Sequence, residues 1–565
     1  MSLSIEGHNC HRYVNYQIKD NGVFLYNQEA KKYLYLCRYL KVIRVETNIV
    51  TGDVQVELEY VHNQEIKTMT LPREVFVKSK LLNVLPAKGL DVTDFNVTKV
   101  LEYLLCTEEE AEHFNIHENL GWTDINGKLV YLHHNVIGGG FNSSYKGQLN
   151  IAPKGNRENF NQLIEQEVLG HPPLELALAL GLSSPVASRL RKLLGLDVLF
   201  FHIYGNSTTG KTTALMLATA PFGYPSKYNN GLIRTWLATD NALLGLMKGL
   251  HGMPLAIDEA SSKVNSEYTK MIYQIVDGIE KARADKNGVV KKRNSNDEWS
   301  GTVASTAENS LLGNSNHNNG LRVRLLELGH IQWTKSAENA EKLKAGLLEN
   351  YSHVGVNFIS YLNKIDDESL IKLFKECKQQ VLERITAKDA FTDRIADKIA
   401  VVYLTAKVAR KALNINFDHS KILDLLIEAD KQQSEDRKLH LKAYEFFKSE
   451  VTRNINKFVF KDDVETYDMS KRSYQDKLLP AGELMGRIEM LRDKMSQVLI
   501  PREQLNKILQ SGGFTDVEGI LYEWRENQVI DADKGKFTRK RKLFKKGVEQ
   551  RVVVVNLDNK LELED

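Results

Sequence analysis

The eight residues Gly205, Asn206, Ser207, Thr208, Thr209, Gly210, Lys211 and Thr212 match the pattern G-x-x-x-x-G-K-[ST] throughout. Few short strings restrict a fold so strongly. The apolar run Val198-Leu-Phe-Phe-His-Ile-Tyr204 before it reads as a buried strand. Thr213-Ala-Leu-Met-Leu-Ala-Thr-Ala220 after it reads as a helix. A strand, a glycine-rich loop and a helix in that order predict an α/β sheet with a phosphate-binding loop at one end. The glycines let backbone N–H groups face a phosphate, and the helix N-terminus adds positive potential there. Lys211 then reaches the β- and γ-phosphates of ATP, the Thr212 hydroxyl ligates Mg²⁺, and Thr213 completes the cradle.

Three further segments extend this site. Met253-Pro-Leu-Ala-Ile-Asp-Glu259 is an apolar strand ending in two acids. Asp258 is expected to hold the Mg²⁺, and Glu259 to polarise the attacking water. Gly301-Thr-Val-Ala-Ser-Thr306 predicts the next strand. A polar residue at its end would contact the γ-phosphate or that water, with Asn309 the first choice and Thr306 close behind. Gly320-Leu-Arg-Val-Arg-Leu-Leu-Glu-Leu328 reads as a strand with Arg322 and Arg324 on one face. An arginine lent by a neighbouring subunit stabilises transition-state charge; Arg324 is favoured for this, Arg322 is the alternative.

Two basic stretches suggest a polyanionic partner. Asn287-Gly288 marks a hairpin whose arms carry Lys286, Lys291 and Lys292, suited to nucleic-acid backbone of any sequence. Near the end of the chain, helical patterns over 501–509 and 516–525 lead into residues 534–551, which hold nine Lys or Arg, Lys540 and Arg541 among them, and one acid, Glu549. Helix, helix, then strands with a basic turn predicts a winged helix that contacts DNA.

At 565 residues the chain needs several domains. The expected division is a β-rich region 1–105, a mixed and helical connection 106–195, the ATPase core 196–335, a helical region 336–440, and a winged-helix-like domain 441–565. Val54-Gln-Val-Glu-Leu-Glu-Tyr60 alternates as a half-buried strand, and Asn21-Gly22 and Asn126-Gly127 predict hairpins. Tyr26, Tyr33 and Tyr35 fit an ordinary core. The net charge of only +3 leaves any anion to be met by local patches. Without a spanning apolar run or a signal-like start, and with Cys10, Cys37, Cys106 and Cys377 scattered, a cytoplasmic protein with reduced cysteines and no structural zinc is expected.

Taken together, residues 205–213, 236–239, 255–259, Ser305, Thr306, Glu308 and Arg324, with Gly121-Trp122 before them and the winged helix after, resemble the MCM-like AAA+ replicative helicases of staphylococcal cassette chromosome (SCC) mobile elements, the Cch family. The hairpin before the sensor strand resembles the pre-sensor-1 hairpin of MCM and superfamily 3 helicases, which implies that it projects into a ring channel and grips DNA backbone. The resemblance implies a homo-hexameric AAA+ ring, ATP-driven 3′→5′ unwinding of DNA, replication initiation for a mobile element, and other element-encoded replication proteins as partners. Two alternatives remain open at this point: an AAA+ ATPase that remodels a protein partner, and an origin-binding initiator that uses ATP as a switch.

Overall fold

The computed structural model describes residues 7–557 apart from 10–14, 21, 261–267, 281–296, 313–318, 387, 461–465, 469–472, 476–483, 492–493, 515 and 544–547. Strands Asn15–Lys19, Gly22–Asn27 and Lys32–Arg38 form an antiparallel meander. Lys19 pairs with Gly22, so Gly22 opens the second strand instead of sitting in the turn, one position from the Asn21-Gly22 hairpin that the sequence predicts. A second sheet contains strands Leu40–Asn48 and Val54–His62. In the latter, Val56, Leu58 and Tyr60 are buried, sharing a core with Val97, Val100 and Tyr103 of helix Val97–Glu110. Alternation is legible there because only one face is covered.

The three tyrosines correct the expectation of a core. Tyr26, Tyr33 and Tyr35 are exposed, because Tyr26 pairs with Tyr33 and Phe24 with Tyr35 across the hairpin, on the face turned away from the helix. The cysteines bring a second correction. Cys37 and Cys377 are free and buried, but Cys106 is disulfide-bonded.

Strands Leu120–Ile125 and Lys128–Leu132 form the hairpin expected at Asn126-Gly127, whose φ angles of 53° and 76° are those of a type I′ turn. Leu120–Ile125 also pairs in parallel with Leu250–His251. At the crossing, a Cβ on Gly121 would stand 1.9 Å from the His251 carbonyl oxygen, so glycine is required. Trp122 Nε1 donates to Pro185 O at 2.8 Å, and Tyr131 donates to Gly252 O at 2.8 Å. The hairpin is thereby pinned to helix Pro172–Leu194, which is apolar nearly all round and buried.

Five parallel strands make the central sheet, in the order Ile233–Thr235, Leu255–Asp258, Thr302–Ala307, Leu199–Tyr204, Leu325–Gly329. The arginine-bearing segment departs from its predicted strand. Asn319–Arg322 is a short helix, and the strand starts only at Leu325. Leu321 and Leu325 lie four apart and both enter the core, a spacing as suited to a helical turn as to a strand.

Five helices follow, Ala337–Glu349, Val354–Leu362, Asp367–Arg384, Thr392–Leu413 and His419–Arg437. At the C-terminal end, helices Leu439–Arg453, Arg502–Ser511 and Val517–Glu526 pack on a sheet containing Gly486–Leu491, Lys494–Pro501 and Glu549–Asn556. The predicted helix–helix–strand order is present, with one more helix and a hairpin ahead of it. Val552 to Val555 are all buried because both faces are covered: Val553 and Val555 by the helices, Val552 and Val554 by Leu499 and Leu543.

Candidate functional site

The glycine-rich loop leaves the C-terminal end of strand Leu199–Tyr204 and runs into helix Lys211–Thr219. Gly210 has φ 87°, and a Cβ there would meet the Thr334 side chain at 2.5 Å. Both constraints select glycine. Lys211 Nζ donates to Gly205 O at 2.8 Å and to Asn206 O at 2.7 Å, which folds the ammonium over the loop. Thr209 Oγ1 donates to Asn206 O at 3.1 Å, and the Trp333 N–H straps the loop through Thr209 O at 2.8 Å. Thr213 is buried behind the loop.

The acids arrive from the neighbouring strand ends. Thr212 Oγ1 lies 3.5 Å from Asp258 Oδ2. Thr306 donates its hydroxyl hydrogen to Asp258 Oδ1, and its Oγ1 accepts the Glu259 N–H at 3.2 Å. Glu259 is exposed, with φ 63°, a backbone conformation that costs a non-glycine residue on the order of 1–3 kcal/mol and recurs at functional sites. Ser207 Oγ donates to Glu308 Oε1 at 2.5 Å, so the loop also touches the turn after the third strand. Thr212 and Asp258 offer adjacent hard oxygens, a donor set that fits Mg²⁺. Among the described residues, no group of three or more His, Cys, Asp or Glu could hold a metal, and no helix is long and apolar enough to cross a membrane.

Of the two sensor candidates, Thr306 is buried between the acids, whereas Asn309 is exposed beyond the strand end. The Asn309 carbonyl terminates a buried relay. Trp236 Nε1 donates to Ser305 Oγ at 2.8 Å, Ser305 lies 3.3 Å from His202 Nδ1, and His202 Nε2 lies 3.2 Å from Asn309 O. Because the Asn309 carbonyl can only accept, Nε2 carries a hydrogen. Burial favours the neutral ring, pushing the His202 pKa down to about 4. The bridging role of Thr306, the Ser207–Glu308 contact and this relay were not anticipated. One signal was available: strand Thr302–Ala307 is covered on both faces, so its Ser305 and Thr306 hydroxyls must find partners.

Arg322 is buried; burial raises the Glu327 pKa, and hydrogen bonds from Ser310, Leu311 and Leu312 together with the nearby Arg322 charge oppose that rise. Arg324 is half-buried. Its guanidinium lies over the Tyr273 ring at 4.4 Å, Nη1 donates to Gly320 O at 2.9 Å, and Nε is 3.9 Å from Asp277 Oδ1. Leu325 pairs with Phe200 and Gly329 with Tyr204. Arg324 therefore stands at the opposite end of the sheet from its own phosphate loop, on the order of 15 Å along the strands.

Lys286, Lys291 and Lys292 lie outside the described residues. Lys540 is exposed on strand Arg539–Lys542. Arg541 is 3.6 Å from Asp531, Arg539 contacts Asp531 and Asp533, and Arg551 is 3.2 Å from Asp533. Nine cations against one acid thus overstated the free charge of this stretch. Two aspartates just upstream engage its arginines and leave Lys534, Lys536, Lys540 and Lys542 outward.

Residues 16–295 match a family described as a domain of unknown function, DUF927, and residues 438–560 match the Cch helix-turn-helix domain. The whole chain is similar in structure to the SCCmec type IV Cch, described as an active helicase. The TM-score is 0.75 at 24% identity, over 96% of this chain and 97% of that one. No curated protein matches. The chain is Cch-like in fold, from its β-rich start to its helix-turn-helix end.

Proposed function

We propose that this Cch-like chain is an ATP-dependent DNA helicase with an AAA+ core, working as a hexameric ring. The observation that carries the reading is the convergence of Lys211, Thr212, Asp258, Glu259 and Thr306 at the ends of three adjacent parallel strands, with Arg324 at the far end of the sheet. A site that needs an arginine beyond its own reach must borrow one, and a ring of identical subunits supplies it by a head-to-tail contact. The strand order, with the loop strand between the sensor strand and the arginine strand, supports the AAA+ assignment.

In this reading Lys211 swings from its carbonyls onto the β- and γ-phosphates of ATP. Thr212 and Asp258 hold Mg²⁺, which when bound neutralises phosphate charge. Glu259 aligns the attacking water, and Thr306 fixes both acids relative to the loop. Arg324 leaves Tyr273 and Asp277 to meet the neighbouring subunit's γ-phosphate. Residues 281–293 would grip a DNA strand in the channel, and Lys540 with its neighbours would contact duplex through a winged helix. The similarity to the SCCmec type IV Cch, described as an active helicase, supports unwinding; 3′→5′ polarity, replication initiation for a mobile element and a cytoplasmic setting are further parts of this proposal.

A labelled-fork assay tests this. The wild-type chain should separate strands only with ATP and Mg²⁺, and Glu259→Gln should bind ATP but neither hydrolyse it nor unwind. ATP turnover without strand separation at any salt would contradict the helicase reading and favour remodelling of a protein partner.

A further inference from the structure

The arginine-bearing turn is held chiefly by side chains from outside the core. Gln433, buried on helix His419–Arg437, donates through Nε2 to Arg322 O at 2.8 Å and to Leu325 O at 2.9 Å. Its Oε1 accepts the Glu327 N–H at 3.2 Å. Strand Leu325–Gly329 is the last in its sheet, so Leu325 O and the Glu327 N–H face away from any neighbouring strand. One carboxamide therefore takes the place of a missing strand's peptide group. Lys398, buried on helix Thr392–Leu413, donates to Arg324 O at 3.0 Å. A buried ammonium is costly, and burial lowers the Lys398 pKa to about 8, with Asp197 the largest opposing influence. Apolar packing alone would not call for either residue.

We infer that Gln433 and Lys398 are positioning residues for Arg324, through which the helical region 392–437 sets where the borrowed arginine stands. This rests on reading Arg324 as the residue lent to the neighbouring subunit. Gln433 and Lys398 grip only the turn's backbone; the Arg324 side chain is held by Tyr273, Asp277 and Gly320 O and can move. A shift of the two helices would carry the turn with them, coupling the state of the helical region to hydrolysis next door.

The test uses full-length Gln433→Leu and Lys398→Met, with Lys398→Arg as a variant that keeps a charged donor in place. The first two should lower kcat for ATP about tenfold or more while KM stays within about twofold, because the affected group acts on a neighbour's transition state. Lys398→Arg should recover most of the loss. Gln433→Leu combined with Arg324→Ala should turn over no more slowly than Arg324→Ala alone. Mixed with Lys211→Ala, which has an intact arginine and a dead site, Gln433→Leu should regain turnover; a folding defect would not be rescued in this way. Wild-type kcat in Gln433→Leu, additive losses in the double variant, or no gain on mixing Gln433→Leu when Arg324→Ala is rescued by the same Lys211→Ala partner would each overturn the inference while leaving the arginine reading intact. Wild-type turnover in Arg324→Ala would instead remove the arginine reading, and this inference with it.

Discussion

The Thr306 hydroxyl touches both halves of the acidic pair, donating to Asp258 and accepting from the Glu259 N–H. Thr306→Val keeps the shape and removes both contacts. We expect kcat for ATP to fall on the order of 10²-fold with KM changed only a few-fold, as when one preorganised hydrogen-bonding group is lost from a catalytic centre. Steady-state ATPase assays decide it, and an unchanged kcat would mean that Asp258 is aligned by something else. His202 offers a test by pH. Its folded pKa of about 4 lies below the unfolded value near 6.5, so the unfolded chain binds the extra proton between those values. Stability from this group is fully present above about pH 6.5 and falls as the pH drops toward 4, by on the order of 3 kcal/mol. Denaturant titrations from pH 7 to pH 4 should show a shallower decline in His202→Gln than in the wild type. Equal slopes would discount the relay.

Between elements, the closest approach beside the site is that of helix Pro172–Leu194 to the helix after the phosphate loop. A Cβ on Gly181 would lie 1.8 Å from the Ala218 carbonyl oxygen. Helix propensity alone predicts that Gly181→Ala stabilises by up to about 1 kcal/mol. The contact predicts the reverse, a loss of roughly 1–3 kcal/mol as the helices are forced apart. Thermal unfolding gives the sign, and a raised Tm would refute the packing argument. The legibility of the elements followed a similar logic. Strand Val54–His62 and the Asn126-Gly127 hairpin were readable because one covered face and a positive-φ turn both leave local marks, and the first hairpin was readable to within one position. The loop and its acids were readable because phosphate binding demands particular residues in order. The arginine turn was read as a strand because the apolar spacing of Leu321 and Leu325 also suits a short helix that leads into the strand beginning at Leu325. Tyr26, Tyr33 and Tyr35, the Cys106 disulfide, and Asp531 and Asp533 folding onto the wing all depend on contacts between segments, which no local pattern records.

For the whole molecule, the account makes one claim about DNA and one about assembly. If the lysines of the wing, rather than its engaged arginines, meet phosphates, replacing Lys540 and Lys542 by Gln should weaken duplex binding. The slope of log affinity against log salt should fall by about 2, near 0.9 per phosphate contact. Arg541→Gln, which removes a cation already facing Asp531, should change that slope little. Equal effects from both variants would contradict this division.

The measurement that bears most directly on the central claim mixes two inactive proteins. Lys211→Ala keeps the arginine and loses the site; Arg324→Ala keeps the site and loses the arginine. In rings assembled at random from equal parts, each interface has about one chance in four of joining an intact site to an intact arginine. We expect the mixture to recover about a quarter of wild-type ATP turnover, although neither protein alone has appreciable activity. A mixture no more active than the average of its parts, or an Arg324→Ala protein that hydrolyses ATP at the wild-type rate, would contradict a site completed by its neighbour.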